Sequence, residues 1–193
     1  METSNWPAII RRSDIEKLGI SAYHFYALAQ TGEIEQIAPG IYLRAGELDD
    51  TTATLASIAL RNPSATICLL SALAFYDLTD EIPRMTDIAL PRGERTLATR
   101  FAPIRWHAFD RETFGLGRNL HPIADDIAIG LYSPERTIVD AFRLRHEIGV
   151  DVANEAIKRW LRRRDSSPSS ILKLAESFPK AQPALLSTLQ VLL

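Results

Sequence analysis

SDIEKLGISAYHFYALAQTGEIEQIAPGIYLR, residues 13–44, decides the fold of the first part of the chain. Ser13 is a fair N-cap for a short helix through Leu18, and Gly19 ends it because glycine tolerates the left-handed backbone beyond a helix C-terminus. Ser21 caps a second helix, in which Ala22, Phe25, Tyr26 and Ala29 recur at helical spacing and Gly32 supplies the stop. Residues 33–37 then alternate polar and apolar, Ala38-Pro39-Gly40 turns the chain, and Ile41 to Arg44 alternates back, which predicts a β-hairpin. Helix, tight turn, helix, hairpin is the order of a winged helix-turn-helix, whose second helix enters a DNA groove while the hairpin flanks it.

Beyond this module the spacing predicts a mixed α/β domain. A helix opens at Asp50 or Thr51 and runs through Leu60, and a buried segment over residues 65–70 leads into helix from Ser71 to Asp77. Strands are predicted at Thr86 to Leu90, Ile104 to Phe109 and Ile127 to Leu131, with residues 115–118 and His121-Pro122 read as loop. Ser133-Pro134-Glu135 is a strong helix start, with a serine cap, proline at the first position and an acid in the first turn. That helix is predicted to reach Glu147 or Ile148. Gly149 stops it, Asp151 caps the next, and Ala153, Ala156, Ile157, Trp160 and Leu161 form the buried stripe of the second helix in an αα-hairpin. A polar linker over 165–169 precedes two closing helices. The fold class is therefore α/β (α+β): a winged-helix-like module at about 1–48, then an α/β domain over 49–193 whose C-terminal helices occupy about 134–193.

Composition narrows the function. The 193 residues are 46% hydrophobic, enough for one sizeable core. The single cysteine, Cys68, lies in an apolar run and reads as core, with no cysteine or histidine partner at metal-ligand spacing. The opening Met1 to Pro7 lacks the basic and apolar regions of a secretion leader, and no stretch approaches the roughly 18 apolar residues of a membrane span, so a cytoplasmic protein is expected. Net charge is −2, unevenly spread. Residues 1–50 set Arg11, Arg12, Lys17 and Arg44 against eight acids, whereas 130–164 carry eight cations against five acids. The acidic first end argues against tight nonspecific DNA binding, which depends on cations displacing condensed counterions.

No catalytic signature stands out. There is no GxSxG, HExxH, P-loop or dinucleotide fingerprint, and the histidines at 24, 107, 121 and 146 are scattered. A magnesium-dependent nuclease built on Asp77 and Asp87 is the least strained enzymatic reading. Neither a cofactor nor a metal is expected.

The segments Gly40-Ile41-Tyr42-Leu43-Arg44, Leu70-Ser71-Ala72-Leu73, Ile88-Ala89-Leu90-Pro91 and Tyr132-Ser133-Pro134-Glu135-Arg136-Thr137-Ile138-Val139-Asp140, taken in order, resemble landmarks of the AbiEi antitoxins of type IV toxin–antitoxin systems. The resemblance covers about Ser13 to Arg164 and is most specific at the Ser-Pro-Glu-Arg-Thr-Ile-Val-Asp helix start. It implies an N-terminal winged helix that represses the cognate operon and a following domain that neutralises a nucleotidyltransferase-like toxin. Operator DNA and that toxin are then the partners, with no membrane role.

Candidate DNA contacts are Ser21, Tyr23, His24 and Gln30 on the second helix and Arg44 at the end of the hairpin. The bland alternative is that the aromatic residues fill the module's core. Arg136, Asp140, Arg143 and Glu147, spaced four, three and four apart, form one stripe that reads either as surface ion pairs or as a recognition face. Lys158, Arg159, Arg162, Arg163 and Arg164 crowd the end of a helix beyond what its dipole needs. Their mutual repulsion calls for an anion to offset it, such as an acidic toxin surface or RNA. Candidate toxin contacts are therefore Arg136, Asp140, Arg143, Lys158, Arg159, Arg162 and Arg163. A sequence-specific transcriptional regulator without antitoxin activity is the alternative function.

Overall fold

A computed structural model describes residues 6–193. The leader reading rested partly on Met1 to Asn5, which lie outside the described residues. The chain divides into two compact units, the first made of Met1–Ala65, Leu97–Pro103 and His121–Ile129, the second of Thr66–Thr96, Ile104–Leu120 and Gly130–Leu193.

In the first unit, strands β1 (Ile9–Arg11), β2 (Ile34–Ala38) and β3 (Ile41–Arg44) form an antiparallel sheet in the order β1-β3-β2. The β2–β3 hairpin matches its sequence signal, and a bulge between Gln36 and Ala38 adjusts its register. Strand β1 has no sequence signal of its own. Helix α1 (Ala22–Thr31) carries the expected ends: Ser21 Oγ accepts the His24 amide at 3.2 Å, and Gly32 takes φ of 80°. The short helix predicted from Ser13 to Leu18 is instead a 3-10 turn at Arg12–Asp14 followed by irregular turns. Six residues close too few backbone bonds to offset helix nucleation, and Ile15 and Ile20 are placed by burial, not by periodicity. Ile10, Ile15, Ile20, Phe25, Leu28, Ile34 and Tyr42 make the core, with Phe25 edge-on to Tyr42 at 4.7 Å. Helix α2 (Asp50–Arg61) is capped by Asp49 and buries Ala53, Ala56, Ile58 and Ala59.

The second unit is built on a five-stranded mixed sheet. Strands β4 (Thr66–Ile67), β5 (Thr86–Pro91), β6 (Ile104–Phe109), β7 (Arg118–Ala124) and β8 (Ile127–Tyr132) take the order β6-β5-β4-β8-β7, and the end of the β7–β8 pair groups with the first unit. Strand β4 runs antiparallel to β5 and parallel to β8, and β5 runs parallel to β6. The expected loop around His121-Pro122 is strand β7, a correction the sheet explains, since an edge strand tolerates the donor that proline lacks.

Helices α3 (Leu69–Phe75), α4 (Arg111–Phe114), α5 (Pro134–Arg143), α6 (Arg145–Ile148), α7 (Val150–Leu161), α8 (Pro168–Ala175) and α9 (Gln182–Leu192) complete this unit. The single helix predicted from Ser133 to Ile148 breaks at Leu144 into α5 and α6. Asp151 lies inside the first turn of α7 and does not cap it; Gly149, at φ of 102°, occupies the cap position. Helix α5 sits at the centre, packed by α3, α7, α8 and α9. Its Ile138, Val139, Ala141 and Phe142 meet Leu73, Ile157, Trp160, Ile171 and Leu185 in one apolar cluster. A helix surrounded in this way must bury every face, the polar one included. Among the described residues no helix is long and apolar enough to cross a membrane.

Candidate functional site

On the first unit, α1 buries Phe25 and Leu28 and turns Tyr23, Tyr26 and Gln30 outward, with Tyr23 87% exposed. Ser21 is occupied by its capping bond and His24 is half-buried. The aromatic residues thus divide: Phe25 belongs to the core, whereas Tyr23 is committed to no packing. Arg12 Nε donates to the Tyr26 hydroxyl at 3.1 Å, which fixes one cation beside the helix.

Arg44 is held inward. Its side chain is 14% exposed, pairs with Glu47 at 3.1 Å, and donates to the Pro7 carbonyl at 3.2 Å. Another cation serves the hairpin instead. Arg100, from the 97–103 segment, donates to the Gln36 carbonyl at 3.1 Å and lies 3.5 Å from Glu35. A concavity of about 650 Å³ lies between α1 and the hairpin, lined by Tyr26, Gln30, Glu35, Gln36, Tyr42 and Arg100. Sequence reading missed Arg100 because 52 residues or more separate it from this module, and only folding brings it there.

In the second unit, the stripe on α5 is internal. Arg136 and Asp140 have fully buried side chains, joined at 3.0 Å. The surface ion-pair reading is corrected here: four helices pack around α5 and enclose the charged groups, and Arg136 Nη2 is buried there without a hydrogen-bond partner. Arg136 Nη1 donates to the carbonyls of Thr113 at 2.7 Å and Leu116 at 2.6 Å, and its guanidinium lies over the rings of Tyr132 and Phe178 at 4.2 and 4.5 Å. Arg143 approaches the other Asp140 oxygen, Nη2 at 2.8 Å and Nε at 3.1 Å. Burial pushes the Asp140 carboxyl above its ordinary range, against the pull of the two guanidiniums. Glu147 falls off the stripe because the chain breaks at Leu144; it is exposed and 3.6 Å from His146.

The basic end of α7 is partly neutralised within the chain. Arg159 bonds Glu155 at 2.6 Å and also pairs with Asp80, and these acids hold its guanidinium well above its ordinary pKa. Arg163 donates to the Tyr76 carbonyl. The anion that the crowding of cations demanded is therefore supplied in part by Asp80 and Glu155. Lys158 and Arg162 remain exposed on this face, as does Arg164.

Of the two carboxylates weighed for metal chemistry, Asp87 is buried in β5 and bonded to His107 at 2.8 Å, while Asp77 is exposed. Among the described residues no three His, Cys, Asp or Glu side chains gather as a metal-binding group. Cys68 is fully buried, and burial raises its thiol pKa, as expected of a core cysteine.

Residues 7–45 match a family model described as "Transcriptional regulator, AbiEi antitoxin". These residues span β1, the turns, α1 and the hairpin. No curated protein matches the chain. Among solved structures, the RV2827C protein from Mycobacterium tuberculosis is similar in fold, with a TM-score of 0.63 at 16% identity over 96% of this chain and 73% of that one. The mixed α/β architecture is thus shared by a protein of low sequence identity. Over residues 7–45, the helix and hairpin module, the chain is similar to the AbiEi antitoxin family of transcriptional regulators.

Proposed function

We propose that the protein is an antitoxin that counters a nucleotidyltransferase-like toxin in the cytoplasm and represses its own operon, as a binding protein and not an enzyme. The family match over residues 7–45 carries this reading, because it falls on the helix and hairpin that a winged-helix repressor uses. The work is divided between the module at 1–48 and the domain at 49–193. Tyr23 and Gln30 are the side chains of α1 best placed to meet base edges, with the capped Ser21 and half-buried His24 at the same helix start. Arg12 and Arg100 supply the backbone cations that Arg44, bound to Glu47, does not. With so few cations the salt dependence of DNA binding is shallow, a log–log slope of about −2 to −3 for two or three phosphate contacts.

Toxin neutralisation is assigned to the exposed cations at the end of α7, Lys158 and the C-cap Arg162, which Arg159 and Arg163 flank from anchored positions. Arg136 and Asp140 shape this unit from inside, and Arg143 reaches its surface only in part. Charge complementarity then sets the association rate and makes it salt-sensitive. Two assays test the reading: binding of the protein's own promoter DNA, followed by fluorescence anisotropy, and rescue of growth in cells expressing a nucleotidyltransferase-like toxin from a neighbouring gene. Promoter binding without rescue would leave a transcriptional regulator alone.

A further inference from the structure

We infer that the second unit holds a binding site for a small nucleotide in the cavity beside the end of β6, independent of the helix and hairpin module. The cavity has a volume of about 420 Å³, within the range of small-molecule sites. Arg92, Arg143 and Lys180 converge on it from three separate segments, joined by the His107 imidazole and the rings of Trp106 and Phe109. A concave site in which positive charge predominates focuses potential on its interior and favours an anion. The one carboxylate in the lining, Glu147, has His146 beside it at 3.6 Å.

The lining is held in place before any ligand arrives. Arg143 Nε donates to Asp140 at 3.1 Å, Nη2 stands 2.8 Å from the same oxygen, and the guanidinium lies 4.5 Å from the centre of the Phe109 ring. A guanidinium fixed on one edge by a buried carboxylate is preorganised for an incoming phosphoryl oxygen. His107 Nε2 lies 2.8 Å from Asp87, so Nδ1 is the ring's remaining polar atom. The Arg92 amide donates to the Phe109 carbonyl at 2.7 Å, and the Arg92 carbonyl accepts from Arg111 Nε at 2.8 Å, which fixes the loop after β5.

Phosphate alone would need only the cations. Trp106 is half-buried on β6 and adds a flat apolar face to the same cavity, the surface on which a base stacks. The combination of cations with one aromatic wall selects a nucleoside phosphate over inorganic phosphate. A cavity of this size takes a single small ligand.

Isothermal titration calorimetry of the full chain with ADP, AMP, inorganic phosphate and adenosine tests the site. The expected result is one ADP per chain with a Kd of roughly 10 µM to 1 mM, weaker binding of phosphate, and none of adenosine over the same range. Arg92 and Lys180 are exposed, so R92E/K180E should keep the wild-type melting temperature while weakening ADP at least about tenfold. ADP should also quench tryptophan emission, and W106L should abolish that quench and bring ADP down to the affinity of phosphate. Absence of ADP binding, or binding unchanged in a folded R92E/K180E protein, would overturn the site. Phosphate binding as tightly as ADP would overturn its assignment to a nucleotide.

Discussion

Replacing Asp140 with alanine isolates what holds the centre of the second unit. Asp140 is the carboxylate shared by the guanidiniums of Arg136, which is fully buried, and Arg143, which is 18% exposed. Its removal leaves a buried cation without its counterion, a change that costs about 3–5 kcal/mol. For a chain of this length that corresponds to a fall of roughly 6–20 °C in melting temperature.

The double variant R136M/D140L removes the buried charges together and should cost less than D140A alone. It is not neutral, because the Leu116 carbonyl loses its guanidinium donor, worth about 1–3 kcal/mol. Urea denaturation followed through Trp106 and Trp160, both in the second unit, gives the values for R136M, D140L and D140A as well as the double variant. A loss below about 1 kcal/mol in D140A would refute the reasoning, as would a double variant costing the sum of its two single changes.

Three further outcomes follow from the geometry. Gly117, at φ of 68°, lies where an added Cβ would stand 2.6 Å from the Arg136 Cβ, so G117A should cost at least about 1–2 kcal/mol in the same denaturation experiment. The Thr52 hydroxyl and the amides of Thr51 and Thr52 hold the Asp49 carboxyl below its ordinary 3.8. Stability from a lowered pKa is present above the unfolded value and lost as pH falls through the folded one; D49A should therefore cost about 1 kcal/mol at pH 7 and its melting curve should meet the wild type's below about pH 4. In promoter binding followed against salt, R100A should reduce the slope by about 1, whereas R44A should lower the stability of the first unit and leave the slope unchanged.

How much of this was legible depends on how local each cause is. The start of α5 could be read because serine, proline and glutamate act within one turn, and Ser133 Oγ accepts the Arg136 amide as that pattern requires. Ser21 and Gly32 bound α1 for the same reason. Strand β1 is three residues, Ile9 to Arg11, that exist as a strand only because β3 pairs with them. The break at Leu144 has no glycine or proline to announce it.

The site was read less well than the fold. Arg136, Asp140 and Arg143 were found as a set by their spacing, but spacing cannot tell a solvated stripe from one enclosed by four helices. The apolar faces of α3, α7, α8 and α9 decide that, and they meet only in the folded chain. Arg100, His107 and Arg92 were missed as partners of anything because each acquires its neighbours through the sheet or through a distant segment. Asp80 answers the crowding on α7 from 79 residues away.

The most direct test of the proposed function is growth of cells expressing a nucleotidyltransferase-like toxin, alone, with this protein, and with K158E/R162E. Both changed residues are exposed, so the variant should fold with the wild-type melting temperature. Rescue by the wild-type protein and its loss in the folded variant is the predicted result. Failure of the wild-type protein to rescue growth would contradict the antitoxin reading, and full rescue by K158E/R162E would remove neutralisation from the basic end of α7.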